Sequence, residues 1–265
     1  IMKKFLTVAL AGVLAASMLF TGCSKKAESK VPDKLIVGTN AEFPPFEYMN
    51  DKKQPEGFDI AMIKEIGKRM GKKVEIKNME FKSLIGAMES DSINAIIAGM
   101  TKTEKREKAV DFSDSYYTTN QAIILKKDSK ITKLAQLDGK KIGVQEGTTG
   151  DLISSGDKFG DGKKAKVLVK GAKVKRFKKG VDAVMDLKNG SVDAVVIDEL
   201  TANEFVKKNA KKLKIVIDSA GSEYYCIALT KGNTAYKEEV NKQIKAIKED
   251  GTYDKLKAKY IDSKN

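Results

Sequence analysis

Arg106 is the residue whose type and setting carry the most chemistry. It sits in Ala95-Ile-Ile-Ala-Gly-Met-Thr-Lys-Thr-Glu-Lys-Arg106, followed by Lys108-Ala-Val-Asp-Phe-Ser113. A guanidinium can fork onto a carboxylate through two parallel hydrogen bonds. Thr101 and Thr103 can each cap a helix, and Thr101-x-x-Glu104 has the form of a capping box. A helix opening here turns free backbone N–H groups toward whatever lies beyond the strand end, which favours an anion. Gly99 lets backbone approach a ligand without a Cβ in the way. The stretch therefore reads as a holder for one small carboxylate; the alternative is a surface strand–helix junction with a solvated arginine. A second loop, Glu146-Gly-Thr-Thr-Gly-Asp151, also has the form of an anion cradle before a helix. It lacks the Gly-Lys-Ser/Thr of a nucleotide loop, which excludes that function.

Other chemistry is thin. The 265-residue chain has no histidine, so the commonest general base and metal ligand is missing. Its two cysteines, Cys23 and Cys226, have no metal-ligand spacing and do not read as a disulfide. Cys226 lies in an apolar strand-like stretch and reads as a small buried thiol. The formal charge of +14 comes mostly from scattered lysines. Nucleic-acid binding would want a clustered basic stripe interleaved with aromatics, which is absent; a lysine-rich surface does suit the neighbourhood of anionic lipid.

These residues need elements to hold them. Lys34–Thr39 predicts a first strand, and Asn40–Tyr48 a loop stiffened by Pro44-Pro45. A helix over Ile60–Met70 follows, stopped by Gly71, then a strand over Lys73–Lys77, a helix over Leu84–Glu89 and a buried strand over Ile93–Ala98. This alternation argues for a parallel α/β sheet. Ser92-Ile-Asn-Ala-Ile-Ile-Ala-Gly99 echoes Ser191-Val-Asp-Ala-Val-Val-Ile-Asp198 position by position, each copy after a short amphipathic segment. Two similar α/β lobes would follow, with Gly99 and Asp198 at equivalent strand ends facing one cleft; chance similarity in a common pattern is the alternative. Asp114–Lys127 reads as a loop leading into a strand over Gln121–Leu125, which carries the chain into the second lobe. Leu134–Gln145 reads as a short helix, turn and strand, and Val174–Phe177 as a strand. Glu223–Leu229 is a strand returning to the first lobe. Two crossings make a hinge. Helices over Glu238–Glu249 and Gly251–Tyr260 close the chain, and 156–171 is a surface excursion with no assigned function.

The N-terminus reads as targeting. Lys3-Lys4 precedes an apolar run, Phe5–Phe20, too short for an ordinary membrane span. Residues 1–22 are expected to be a signal peptide. Leu19-Phe-Thr-Gly-Cys23 resembles a bacterial lipobox, with Cys23 lipidated and Phe20 departing from the usual leucine. An uncleaved anchor or a plain secretory signal is the alternative. Residues 23–33 form a polar tether, and two acyl chains on Cys23 would hold the protein at a membrane.

Ala-Gly-Met-Thr-x-Thr-Glu-x-Arg-x-x-x-Val-Asp-Phe-Ser resembles the extracellular solute-binding proteins, family 3, that serve ABC transporters for polar amino acids, and the resemblance runs through most of the chain after residue 33. It implies a two-lobed, periplasmic-binding-protein-like (type II) α/β fold, with residues 34–118 and 224–262 in lobe 1 and 119–223 in lobe 2. It also implies a pocket. Phe43 and Phe81 would sandwich the ligand's side chain; Ala98, Gly99 and Thr101 would contact its head group; Arg106 would clamp its carboxylate. Thr148 and Thr149 would add donors, Gln145 would read the side chain, and Asp198 would pair with the α-ammonium. Asn40 stands where an aspartate is common, keeping an acceptor but losing a charge. A zwitterion held between Arg106 and Asp198 would close the lobes, because the two charges belong to different lobes. Glu42, beside Phe43, together with Gln145 leans toward an arginine-like ligand, with glutamine or another polar amino acid open. The family implies no cofactor and no metal, a membrane permease as partner, and a monomer. An enzyme on the same fold, resembling dehydratases of prephenate-like acids, would need a positioned acid or base, yet Glu42 and Asp198 have binding roles. A receptor's sensing part would need a membrane helix and effector domain after residue 262.

Overall fold

The computed structural model describes residues 30–156, 169–217 and 222–262. The expected signal peptide, the lipidated Cys23 with most of its tether, and most of the 156–171 excursion lie outside the described residues.

The chain begins with β1 (Lys34–Thr39), then a small antiparallel sheet of β2 (Glu42–Phe43), β3 (Glu47–Met49) and β4 (Pro55–Glu56). Next come α1 (Phe58–Arg69), β5 (Lys73–Asn78), a 3-10 turn over Phe81–Ser83, α2 (Leu84–Glu89), β6 (Ala95–Ile96), α3 (Glu104–Glu107) and the long β7 (Val110–Thr119). After Asn120 the chain enters a second sheet with β8 (Gln121–Lys126), β9 (Lys141–Gln145), α4 (Thr149–Ser154) and β10 (Lys173–Phe177). That sheet continues with α5 (Gly180–Asn189), β11 (Ala194–Asp198), α6 (Glu199–Lys207) and β12 (Leu213–Ile217). The chain returns on β13 (Glu223–Thr230) and ends with α7 (Thr234–Glu249) and α8 (Thr252–Tyr260). The first sheet runs β5-β1-β6-β13-β7 and the second β10-β9-β11-β8-β12. Neither is the parallel sheet expected from the alternation, because the crossing strands enter reversed, β13 antiparallel to β6 and β7, and β8 antiparallel to β11 and β12.

The echoed strands explain why two lobes look alike. Ala95 and Ile97 pack with α1, α7 and α8 on one face of the first sheet, while Ile96 and Ala98 pack with α2 on the other. In the second sheet Val195 and Ile197 pack with α5 and α6, while Ala194 and Val196 face α4. Strands covered on both faces must be apolar at consecutive positions, which is what both copies are. Each fully buried leucine or isoleucine contributes about 1.5–3 kcal/mol. Cys226 is a buried free thiol in the α2-side core, and burial pushes it up to about 11.

Local signals fail where pairing partners are distant in sequence. The stretch after Asp114 is not a loop: it is the second half of β7, paired with β13 through Thr119↔Glu223, with register shifts around Cys226. Polar Asp114 and Ser115 hide that strand, because its stability comes from a partner more than a hundred positions away. β6 is a shorter ladder than the apolar run predicts, although the flanking Asn94 and Ile97 N–H groups still donate to β1 carbonyls. Gly71 ends α1 as expected, at φ 64, while Lys72 N–H donates to Gly67 O at 2.8 Å. Among the described residues no helix is long and apolar enough to cross a membrane.

Candidate functional site

β6 with its extension to Gly99, β9 and β11 all end at one crevice between the sheets. Eleven of the twelve expected ligand-binding residues line a single cavity there. Asn40, Phe43, Phe81, Ala98, Gly99, Thr101 and Arg106 come from the first lobe; Gln145, Thr148, Thr149 and Asp198 come from the second. The walls are close: water-accessible space is about 10 Å³, room for roughly one water. The lobes bond directly to each other across it.

One end of the cavity holds its buried cation. Arg106 is buried, and its Nη1 donates to Thr101 O at 2.5 Å and its Nη2 to Gly147 O at 3.0 Å in the opposite lobe. Its guanidinium lies over the Phe81 ring, 5.3 Å from the centroid. Burial lowers the Arg106 pKa to about 10, with Glu223 and Asp198 acting the other way, so it stays cationic at neutral pH. Of the two possible caps, Thr103 is the one used: its Oγ1 accepts from Arg106 N–H at 3.3 Å and fixes the arginine's place at the start of α3. Thr101 instead bridges to Tyr225, and its hydroxyl donates to Glu223 Oε2 at 2.7 Å. The Thr148 hydroxyl accepts from Asp151 N–H and donates to Gln145 O; that of Thr149 donates to Glu223 Oε2 at 2.8 Å. In this geometry both hydroxyls are committed within the protein, and the guanidinium is the strongest donor left to face a carboxylate.

Acid gathers at the hinge side. Asp198 occupies the first position before α6 but makes no side-chain bond to that helix. Its carboxylate accepts from Gln121 Nε2 at 2.6 Å on one oxygen and from the Tyr225 hydroxyl on the other. Glu223 is almost fully buried just behind, and joins the lobes through Thr101 and Thr149. Burial, and for Asp198 the neighbouring Glu223, holds both acids above the usual carboxylate range. Gln121, Glu223 and Tyr225 escaped the sequence reading. Their signal was a polar group at the end of an otherwise apolar strand, at each of the two crossings.

The remaining wall holds the one misplaced expectation. Glu42 does not line the cavity; it pairs with Lys179 at 2.7 Å on the rim. The acid inside is Glu47, fully buried. Register decides this: Phe43 stands directly opposite Glu47 across β2–β3, and Glu42 opposite Tyr48, so Phe43 and Glu47 share the inward face. No donor reaches either Glu47 oxygen. Asp59 lies behind it, its Oδ2 accepting from Gly99 N–H at 2.8 Å and the Tyr116 hydroxyl at 2.6 Å. Asn40 donates to Met79 O and accepts from Gln145 Nε2 at 2.8 Å, an amide pair spanning the lobes. Two further ion pairs cross the rim, Lys82–Glu146 and Lys178–Glu80. Four buried carboxyls thus stand in or just behind the wall against one buried guanidinium. Among the described residues no cluster of acids, cysteines or histidines forms a metal site.

The family model for bacterial extracellular solute-binding proteins, family 3, matches residues 35–263. The chain belongs to that family. This solute-binding protein is 33% identical to the arginine-binding extracellular protein ArtP of Bacillus subtilis (strain 168), over 98% of both chains. Among solved structures it is similar to an ancestral arginine-binding protein bound to arginine, at 42% identity and a TM-score of 0.79, over 88% of this chain and 100% of that one. An ancestral arginine-binding protein bound to glutamine matches at 41% identity and a TM-score of 0.76, over 88% and 99%. The two-lobed α/β architecture is therefore that of amino-acid-binding members of the family.

Proposed function

We propose that this family member captures a cationic L-amino acid of the arginine type and delivers it to the membrane permease of an ABC importer. The observation that carries this reading is Glu47, a fully buried acid on the cavity wall that no donor reaches. A cationic side chain would supply what that acid lacks. Arg106 takes the ligand's carboxylate in place of the Gly147 carbonyl, and Asp198, backed by Glu223, takes the α-ammonium. The lobes, 34–118 with 224–262 and 119–223, rotate about the two strand crossings. Closure then depends on a ligand whose charges complement both jaws. Each acid near the cavity has a binding partner to meet, so the reading is capture rather than catalysis, with no cofactor. The protein acts as a monomer, exported and either held at the outer face of the cell membrane through lipid on Cys23 or in the periplasm.

A second reading is glutamine or another polar amino acid. It is favoured by the Asn40–Gln145 amide pair, which can hydrogen-bond a neutral amide as well as a cation. A thermal-shift screen of the common L-amino acids, followed by calorimetric titration, separates the two. Arginine shifting the midpoint most supports the first reading; glutamine doing so replaces it with the second. No shift with any amino acid removes both.

A further inference from the structure

We infer that Glu47 selects a cationic ligand side chain by trading a proton it otherwise shares with Asp59, so that binding of a guanidinium or ammonium group releases one proton to solvent. This rests on the reading of the cleft as a site for a cationic amino acid.

The two carboxyls are brought together by the backbone. Asp59 N–H donates to Phe46 O at 2.9 Å, which docks the start of α1 beside the first residue of β3. Both side chains are fully buried and within hydrogen-bonding reach of each other. Asp59 Oδ2 already holds two donors, while Asp59 Oδ1 and both oxygens of Glu47 receive none. Two adjacent ionised carboxylates buried with three bare oxygens are strongly disfavoured. One proton between them removes a charge and gives a bare oxygen its donor. That proton belongs on Glu47, because Gly99 and Tyr116 stabilise the anion of Asp59. The burial shifts agree in direction: Asp59 is raised to about 6 and Glu47 well above its ordinary value.

The groups on the surrounding elements do not supply the missing cation. From β11, Asp198 adds negative charge at Glu47. From β7, Tyr116 donates to Asp59, and from β13, Tyr225 donates to Asp198. On β2, Glu42 and its partner Lys179 are at the rim; on β4, Glu56 accepts from Asn50. Arg106 is turned to the carbonyls of Thr101 and Gly147. The exchange is therefore between ligand and proton: neutral Glu47 plus a cationic side chain gives carboxylate, ion pair and one free proton. A neutral side chain leaves the proton where it is.

Isothermal titration calorimetry near neutral pH, in buffers of differing ionisation enthalpy, counts the protons. With wild-type protein, L-arginine is expected to release about one proton more than L-citrulline, its neutral isostere, and the arginine-to-citrulline affinity ratio rises about tenfold per pH unit while Glu47 is protonated. Protons released from the Asp198–Glu223 end are common to both ligands and cancel. In Glu47→Gln the excess disappears. Should citrulline bind too weakly to titrate, wild type and Glu47→Gln are compared with arginine alone; should that variant not fold, the pH dependence of arginine affinity relative to citrulline decides, because the Asp198–Glu223 protons cancel in that ratio. Arginine bound with no excess proton over citrulline and no pH dependence of that affinity ratio overturns the inference while leaving capture of a cationic amino acid intact, as does an excess that persists in Glu47→Gln. Failure of any amino acid to bind overturns the functional reading itself.

Discussion

At the scale of single residues, the cavity separates groups proposed to hold a ligand from groups that hold the lobes together. Arg106 joins the lobes, because its guanidinium meets a carbonyl from each, and it is also the proposed clamp. Arg106→Ala is expected to weaken arginine binding by about 3 kcal/mol or more, more than a hundredfold, since it leaves a desolvated carboxylate unpaired; titration showing unchanged affinity would remove the clamp. Glu42 behaves differently. Its side chain is 27% exposed and paired with a half-exposed lysine at the rim, a kind of contact worth about 0–1 kcal/mol. Glu42→Gln should therefore shift arginine affinity by less than about 1 kcal/mol and leave the preference for arginine over glutamine unchanged. A selective loss of arginine in calorimetry would return Glu42 to the pocket. The difference between Glu42 and Glu47 was not legible in the sequence. Both acids flank phenylalanines near a Pro-Pro pair, and only the pairing of β2 with β3 says which one faces inward.

At the scale of elements, the strand ends are where geometry is least forgiving. Gly99 closes the β6 run at φ 52, donates its N–H to Asp59, and has ring atoms of Phe43 and Tyr225 3.3 Å from where a Cβ would stand. Gly99→Ala combines a left-handed backbone with two tight aromatic contacts and is expected to cost about 1–3 kcal/mol, read from urea denaturation; a cost near zero would show that the strand end can relax. Its necessity was visible in the sequence as a glycine after an apolar run. Tyr225→Phe removes a donor from buried Asp198 and should destabilise the protein by about 1–3 kcal/mol, while raising the midpoint gained on arginine binding, because the α-ammonium then meets a more needy acid. An equal midpoint gain in both proteins would argue against that coupling. Nothing local pointed to Tyr225, because its role depends on β13 returning beside β7 and meeting the end of β11.

At the scale of the molecule, the excess of buried acid over buried base sets how stability responds to pH. Asp59, Asp198 and Glu223 are held above their ordinary values, chiefly by burial. The folded protein then binds more protons than the unfolded chain, so their contribution is full below about pH 4 and is lost as pH rises through the folded values, about 6 for Asp59. Surface acids run the other way. Asp250, held down to about 2 by Thr252 and Arg69, contributes above its ordinary value and loses that contribution only as pH falls toward 2. Between pH 5 and 8 the buried group dominates. The melting midpoint of the protein alone should decline across that window, and the increment from saturating arginine should grow. Differential scanning calorimetry at matched ionic strength tests both, and a midpoint that rises from pH 5 to 8 would contradict the assignment.

The sequence by itself determined the family wording around Arg106, the two echoed strands, the alternation that makes two α/β lobes, and eleven of the residues that meet in the cavity. The strands and lobes are properties of short range, periodicity and caps, whereas the eleven residues were pointed to by the resemblance of their motifs to the family. Tertiary structure alone decided which glutamate lies inside, which threonine caps and which one bridges, and that Glu223, Gln121 and Tyr225 stand behind the hinge-side wall and bond to it. Each of those depends on strand register or on a crossing between segments far apart in the chain. Hydrogen-bond partners and burial, which turn an ordinary carboxylate into one that wants a cation, exist only once those segments have met.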